Sequence, residues 1–127
     1  MNITFARRLF LVAGIYGFVV LLPQYFMESR IGRDFPPAIT HPEHFYGFVG
    51  VALAFQVLFL MLSRDPVRFR PMLIPSIIEK LAFGIACIVL FLQHRLAVPV
   101  LAASIIDLIF AALFFVAWRG LPEPGRH

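Results

Sequence analysis

The residues of this chain best suited to chemistry are two histidines that flank a Pro-Glu pair, in the stretch His41-Pro42-Glu43-His44. Histidine titrates near neutral pH, and its neutral ring is also a common metal ligand. If a helix extends through this stretch, His41 and His44 share a face and are spaced to hold a divalent metal, whereas Glu43 projects about 100° away from His44. A further ligand would then come from the neighbouring loops, which contain Glu28, Asp34 and His94.

A helix start explains the same stretch without any function. Thr40 and Glu43 have the spacing of a capping box, in which both side chains satisfy free backbone amides. Phe45 and Tyr46 would then lie in the aromatic belt at a membrane surface. This interpretation predicts no metal and no cofactor, and it leaves acid-base chemistry or head-group recognition as alternative roles for the histidines. The predicted group is called the outer rim and comprises His41, Glu43, His44, Glu28 and His94.

A second group of polar residues interrupts the long apolar runs. Asp107 lies at the centre of the run 96–118, where an aspartate costs about 2.5 to 3.5 kcal/mol on insertion scales. If the runs 73–92 and 96–118 form an antiparallel hairpin, a rise of about 1.5 Å per residue places Lys80 at nearly the depth of Asp107. We therefore predict a ligand-binding polar layer inside a helix bundle, and its members are Tyr16, Gln56, Glu79, Lys80, Ser104 and Asp107.

The charges of this layer do not balance, because one lysine faces two carboxyl groups. Either one carboxyl group is protonated or a cationic ligand completes the site. A structural alternative applies if the third helix starts at Pro75. Ser76 and Glu79 would then form a capping box at the membrane edge, and Lys80 would extend to the lipid head groups. Tyr16 and Gln56 alone also suit packing.

The elements that must position these residues are four apolar segments. Of the 127 residues, 61% are hydrophobic and 14% charged, against roughly 45 to 50% and about 25% in soluble domains. A helix that crosses the hydrocarbon core needs about 20 apolar residues. We predict an all-α membrane protein whose single domain, residues 1–120, is a bundle of four antiparallel, up-down transmembrane helices. The spans are 5–26, 45–62, 73–92 and 96–118, and residues 121–127 form a short flexible tail.

Small residues and prolines refine this bundle. Helices in a membrane associate through close packing, so two small residues four positions apart predict a contact ridge. Such pairs are Ala13 with Gly17, Gly50 with Ala54, and Ala82 with Ala86. They suit an internal bundle and a homo-oligomer equally. Pro23 is expected to bend or end the first helix, since proline removes a backbone hydrogen bond.

The arginines predict an orientation, because positive residues are retained on the cytoplasmic side of a membrane. With four spans, one side holds Arg7, Arg8, Arg64, Arg68, Arg70, Arg119 and Arg126, and the other holds only Arg30, Arg33 and Arg95. We predict a multi-pass protein of the cell membrane, specifically a bacterial inner membrane, with both termini in the cytoplasm. The outer rim then faces the exterior.

These features favour a bundle that binds or modifies a lipid-like or amphiphilic molecule through the polar layer. The alternatives are an accessory or assembly subunit of a larger membrane complex and a homo-oligomeric small transporter. Chain length and span count are similar to those of small multidrug transporters, but the first span has no carboxylate before Glu28, where that family carries its glutamate. The expected partners are the lipid bilayer, such a ligand, further copies of the chain or a larger complex. Nucleic acid is not expected, because the basic residues are scattered.

Overall fold

The computed structural model describes residues 2–35 and 38–122, and every regular element within these ranges is helical. The predicted all-α class is therefore confirmed. The five α-helices are α1 (Asn2–Leu21), α2 (Glu28–Asp34), α3 (Pro42–Arg64), α4 (Leu73–Leu92) and α5 (Val98–Gly120). Short 3₁₀ segments follow α1 at Leu22–Phe26 and precede α4 at Arg70–Met72. Most of the predicted tail, from residue 123 onward, lies outside the described residues.

Four helical segments are long and apolar enough to cross a membrane, as the sequence predicted. They are Ile3–Phe26, Pro42–Arg64, Arg70–Leu92 and Val98–Gly120, with mean hydropathies between 1.9 and 2.6. Large apolar side chains are exposed along them, including Val19 at 68%, Leu92 at 70% and Val98 at 66%. Exposure of this kind suits contact with lipid rather than water, which is consistent with a multi-pass membrane protein.

Prolines set several of the helix ends. The α-helical part of the first span ends at Leu21, and Pro23 lies inside the 3₁₀ segment that follows, because a proline cannot continue the α-helical hydrogen bonds. Pro42 occupies the first position of α3, where a missing amide hydrogen costs nothing. Asp65 accepts a hydrogen bond from the Arg68 amide at 3.2 Å, so this carboxylate caps the turn between α3 and α4.

Glycines bring two pairs of helices close together. α1 packs along α3, and α4 packs along α5, with a smaller contact between α1 and α5. A Cβ atom on Gly17 would overlap the side-chain amide of Gln56, and one on Gly84 would lie 2.5 Å from Leu108. The predicted ridge of Ala13 and Gly17 is buried at such a contact.

The predicted ridge of Ala82 and Ala86 is wrong as an internal contact, because both alanines are exposed. Gly84 and Cys87 are the buried small residues of α4, and they lie on a different face. The spacing of small residues predicts that they share one face of a helix. It does not predict whether that face is turned toward the bundle or away from it.

Phenylalanines fill one half of the bundle. The ring of Phe114 stacks on Phe10 with centroids 4.5 Å apart, and it meets Phe59 edge-on at 5.2 Å. All three side chains are fully buried. Beyond this core, the Arg7 side chain donates to the Ser63 carbonyl at 3.2 Å. This bond links α1 to α3 near the end where α1 begins.

The short helix α2 was not predicted, since its segment was expected to be part of a loop. Met27, Ile31 and Phe35 recur every four residues and line a cavity between the helices, whereas Arg30 and Asp34 form an exposed ion pair at 3.6 Å. α2 and its two flanking residues thus contribute an apolar side to the cavity wall.

Candidate functional site

The centre of the site is a buried ion pair between α4 and α5. Lys80 Nζ lies 3.2 Å from Asp107 Oδ1, and the side chains are only 4% and 16% exposed. The lysine was expected to extend to the head groups only if α4 began at Pro75. Because α4 begins at Leu73, Lys80 is two turns into the helix and faces the interior. The structure thus brings together the two residues whose depths the sequence matched.

Aromatic rings surround the lysine on its other sides. Lys80 Nζ lies 5.3 Å from the ring centroid of Phe59 and 5.5 Å from that of Phe110. An ammonium group over an aromatic face is attracted by the ring quadrupole, most strongly where water is excluded. The rings of Phe59 and Phe110 therefore stabilise the positive charge of Lys80 on one side, and Asp107 neutralises that charge on another.

A cavity of about 440 Å³ extends from this ion pair toward α2. Its size falls in the range of about 300 to 1,000 Å³ that small-molecule sites occupy. All five α-helices or their flanking turns contribute to the wall, which is mostly apolar. Five members of the polar layer line it, namely Tyr16, Gln56, Glu79, Lys80 and Asp107. Apolar wall residues that the sequence did not single out include Phe48, Phe83, Val100 and Ala103.

Glu79 is not a helix cap, so the structural alternative for this residue is wrong. α4 has no side-chain cap at its start. Ser76 lies within the helix, where its hydroxyl donates to the Met72 carbonyl at 2.7 Å. Glu79 instead lines the cavity, and its Oε2 is buried without a hydrogen-bond partner among the described residues. A buried acceptor in this state is unusual, since most buried polar atoms are satisfied.

Gln56 also lines the cavity and has a second unsatisfied acceptor, which lies against Gly17 of α1. Its Nε2 donates to the Ala52 carbonyl at 2.8 Å, which fixes the orientation of the amide and turns Oε1 away from that carbonyl. Oε1 is buried and has no partner within the described part of the chain. Gly17 makes room for this arrangement, because any larger residue there would collide with the amide.

Tyr16 and Ser104 complete the predicted layer in different ways. Tyr16 lines the cavity, and its ring packs against Phe110 at 5.8 Å. Ser104 is fully buried but is not part of the cavity wall, and its hydroxyl donates to the Leu101 carbonyl at 2.6 Å. The prediction for Ser104 needs correction, because a serine hydroxyl within a helix readily bonds to the preceding turn. Its one-turn spacing from Asp107 does not place it at the cavity.

Three of the five outer-rim residues lie together, and the other two lie elsewhere. The three that lie together, called the histidine cluster, are His41, Glu43 and His44. His41 precedes α3 in a non-helical conformation (φ −125°, ψ 75°), so Glu43 Oε1 comes within 3.1 Å of His41 Nδ1 and 4.0 Å of His44 Nε2. The expected capping box is wrong, since no side chain caps α3. Glu43 pairs with the histidines instead.

The histidine cluster has the ligand types of a metal site. One ligand atom from each residue lies within 4.8 Å of the other two. The histidine rings are inclined by only 17°, with centroids 5.1 Å apart, and Glu43 Oε1 interacts with both of them. In this conformation the cluster is an exposed ion-pair group, and the absence of a metal stays a prediction.

Glu28 and His94 do not join the cluster in the described structure. Glu28 begins α2 and interacts with Tyr46. His94 has a left-handed backbone, with φ of 58°, and it ends α4. Its amide donates to the Phe91 carbonyl at 2.9 Å, and the Arg95 amide donates to the Leu90 carbonyl at 2.9 Å. These two bonds define a Schellman motif, so the backbone of His94 has a structural role.

Comparison with protein families, with curated proteins and with solved structures finds no match to this chain. The chemistry of the site must therefore be argued from the site itself. It combines an apolar chamber, a paired lysine and aspartate at one end, and two unsatisfied acceptors. This combination suits reversible binding of a molecule with a polar head and an apolar body.

Proposed function

We propose that this protein binds a lipid-like or amphiphilic small molecule in the cavity between its helices. The head of the ligand would lie at the polar layer, and its apolar body would extend toward α2. The single observation that carries the proposal is the 440 Å³ cavity with five polar-layer residues in an otherwise mostly apolar wall. A closed core of tightly packed side chains would serve a purely structural protein better.

The proposal includes an orientation in the membrane. The contacts Arg7 with Ser63 and Arg70 with Trp118 join residues near helix ends, and they favour an up-down bundle with the arginine-rich ends together. We infer that this end faces the cytoplasm, because it holds the larger share of the arginines. Both termini are then cytoplasmic, and the cavity occupies the outer half of the membrane. Fusion of a reporter enzyme to either end tests this orientation.

A pair of adjacent alanines in α5 tests the binding function. Ala103 lines the cavity, whereas Ala102 is exposed and does not line it. In Ala103→Phe the larger side chain would occupy the site, and in Ala102→Phe the same side chain would face outward. Each variant is purified, placed in lipid nanodiscs and assayed for saturable binding of tritiated decanol, with empty nanodiscs as background.

We expect the wild type and Ala102→Phe to bind decanol saturably and Ala103→Phe to lose that binding. Equal binding by both variants would show that decanol does not occupy the cavity and would overturn the proposal. The same preparations test the other two functions. Flux of a cation into liposomes would support a transporter, and capture of a defined larger complex from native membranes would support an accessory subunit.

A further inference from the structure

We propose that the cavity selects amphiphiles whose head group is a hydrogen-bond-donating cation, in particular a primary ammonium group. The inference rests on the proposed binding function and assigns its ligand class. The polar atoms that the cavity wall leaves unsatisfied are Glu79 Oε2 and Gln56 Oε1. Both are acceptors, so the missing component is a donor.

The charges of the wall point to a positive donor. Among the described residues of the wall, Lys80 is the only basic one, and its ammonium group is held by Asp107 at 3.2 Å. The Lys80 side chain lies near the rings of Phe59 and Phe110 and is 4% exposed. The second carboxyl group, on Glu79, therefore has no bonded partner of opposite charge in the described part of the chain. A cation in the cavity would satisfy it, because buried charges are stable when they are paired.

The two free acceptors suit the chemistry of an ammonium head group. A primary ammonium ion has three N–H donors and no acceptor, so it can satisfy carboxylate and amide oxygens without bringing an acceptor of its own. The Gln56 amide cannot turn its nitrogen toward the ligand without losing the bond to Ala52. A carboxylate or phosphate head would bring further acceptors to a site that already has an excess, so anionic amphiphiles are disfavoured.

The experiment compares three ten-carbon probes in nanodiscs at neutral pH: decylammonium, decanol and decanoate. We expect the wild type to bind decylammonium about tenfold more tightly than decanol, the size of a hydrogen bond to a charged group, and to bind decanoate most weakly. In Glu79→Gln the preference for decylammonium over decanol should fall to nearly none. Gln56→Met should lower the preference in part.

The control is Asp65→Asn, the same change from carboxylate to amide in the turn between α3 and α4, away from the cavity. It should keep the preference of the wild type. A wild type that binds decylammonium and decanol equally would overturn the inference, as would a preference that survives in Glu79→Gln. Because decanol needs no charge, failure of decanol to bind at all would instead refute the proposed function.

Discussion

Loss of one member of the buried ion pair is the sharpest test of the polar layer. Asp107→Asn leaves the Lys80 ammonium without the carboxylate that lies 3.2 Å away. At an effective dielectric constant of about 20, the attraction is 332/(20 × 3.2), or about 5 kcal/mol. Fixing the lysine side chain costs about 2 kcal/mol of rotamer entropy. We therefore expect a coupling free energy of about 3 kcal/mol between the two residues.

A double-mutant cycle measures this coupling. The variants are Lys80→Met, Asp107→Asn and their combination, unfolded by titration with sodium dodecyl sulfate in mixed micelles. Each single variant should lose about 3 kcal/mol of unfolding free energy, because it leaves a buried charge without its partner. The double variant should lose little more than one single variant, since no unpaired charge from this pair remains.

The exposed pair Arg30 and Asp34 on α2 provides a matched control, with atoms 3.6 Å apart. The cycle of Arg30→Met and Asp34→Asn should give a coupling of only about 0.3 to 0.5 kcal/mol, as is usual for exposed helical pairs. A coupling between Lys80 and Asp107 no larger than that of the exposed pair would refute the reasoning.

Three further changes test the packing and the outer rim. Gly17→Ala should lower the unfolding free energy by about 1 kcal/mol or more, because the added Cβ displaces the Gln56 amide. Gly47→Ala, with nothing within 4 Å of an added Cβ, should instead raise the unfolding free energy by up to about 1 kcal/mol. Similar effects at the two glycines would contradict the contact. His94→Gly should stabilise the protein by about 1 kcal/mol, since glycine adopts a positive φ without steric cost. A loss of stability in this variant would indicate that the imidazole of His94 makes stabilising contacts of its own. Zinc ions at micromolar concentration should leave the thermal unfolding temperature unchanged, because the histidine cluster is exposed to solvent and its carboxylate already interacts with both histidines. A rise that disappears in His44→Ala would show that the cluster binds the metal.

The sequence predicted the elements of the fold more completely than their contacts. Four apolar runs of sufficient length predict four helices. In lipid, backbone N–H and C=O groups without hydrogen bonds are too costly for an irregular segment or an open sheet. The short helix α2 escaped prediction, because Ile31 is its one large apolar residue and its neighbours are mostly polar or charged. That Ile31 lines the cavity depends on where the other helices lie.

The candidate site was predicted in part. Depth arithmetic paired Lys80 with Asp107, because the rise per residue is fixed and the hairpin between their helices is short. Ser104 was included because it lies one turn from Asp107, but its hydroxyl bonds to its own helix. Depth along an axis does not specify rotation about it, which decides whether a side chain reaches the cavity.

By itself, the sequence determined that the protein is all-helical, that four segments can cross a membrane, and that charged residues lie deep within two of them. These properties follow from composition, length and period, which are local to each segment. Only the tertiary structure decided that Glu79 and Gln56 line one cavity and that each has a buried acceptor without a partner among the described residues. It also decided that Glu43 lies close to both His41 and His44. Such properties depend on how helices rotate against each other and on where the backbone leaves helical geometry.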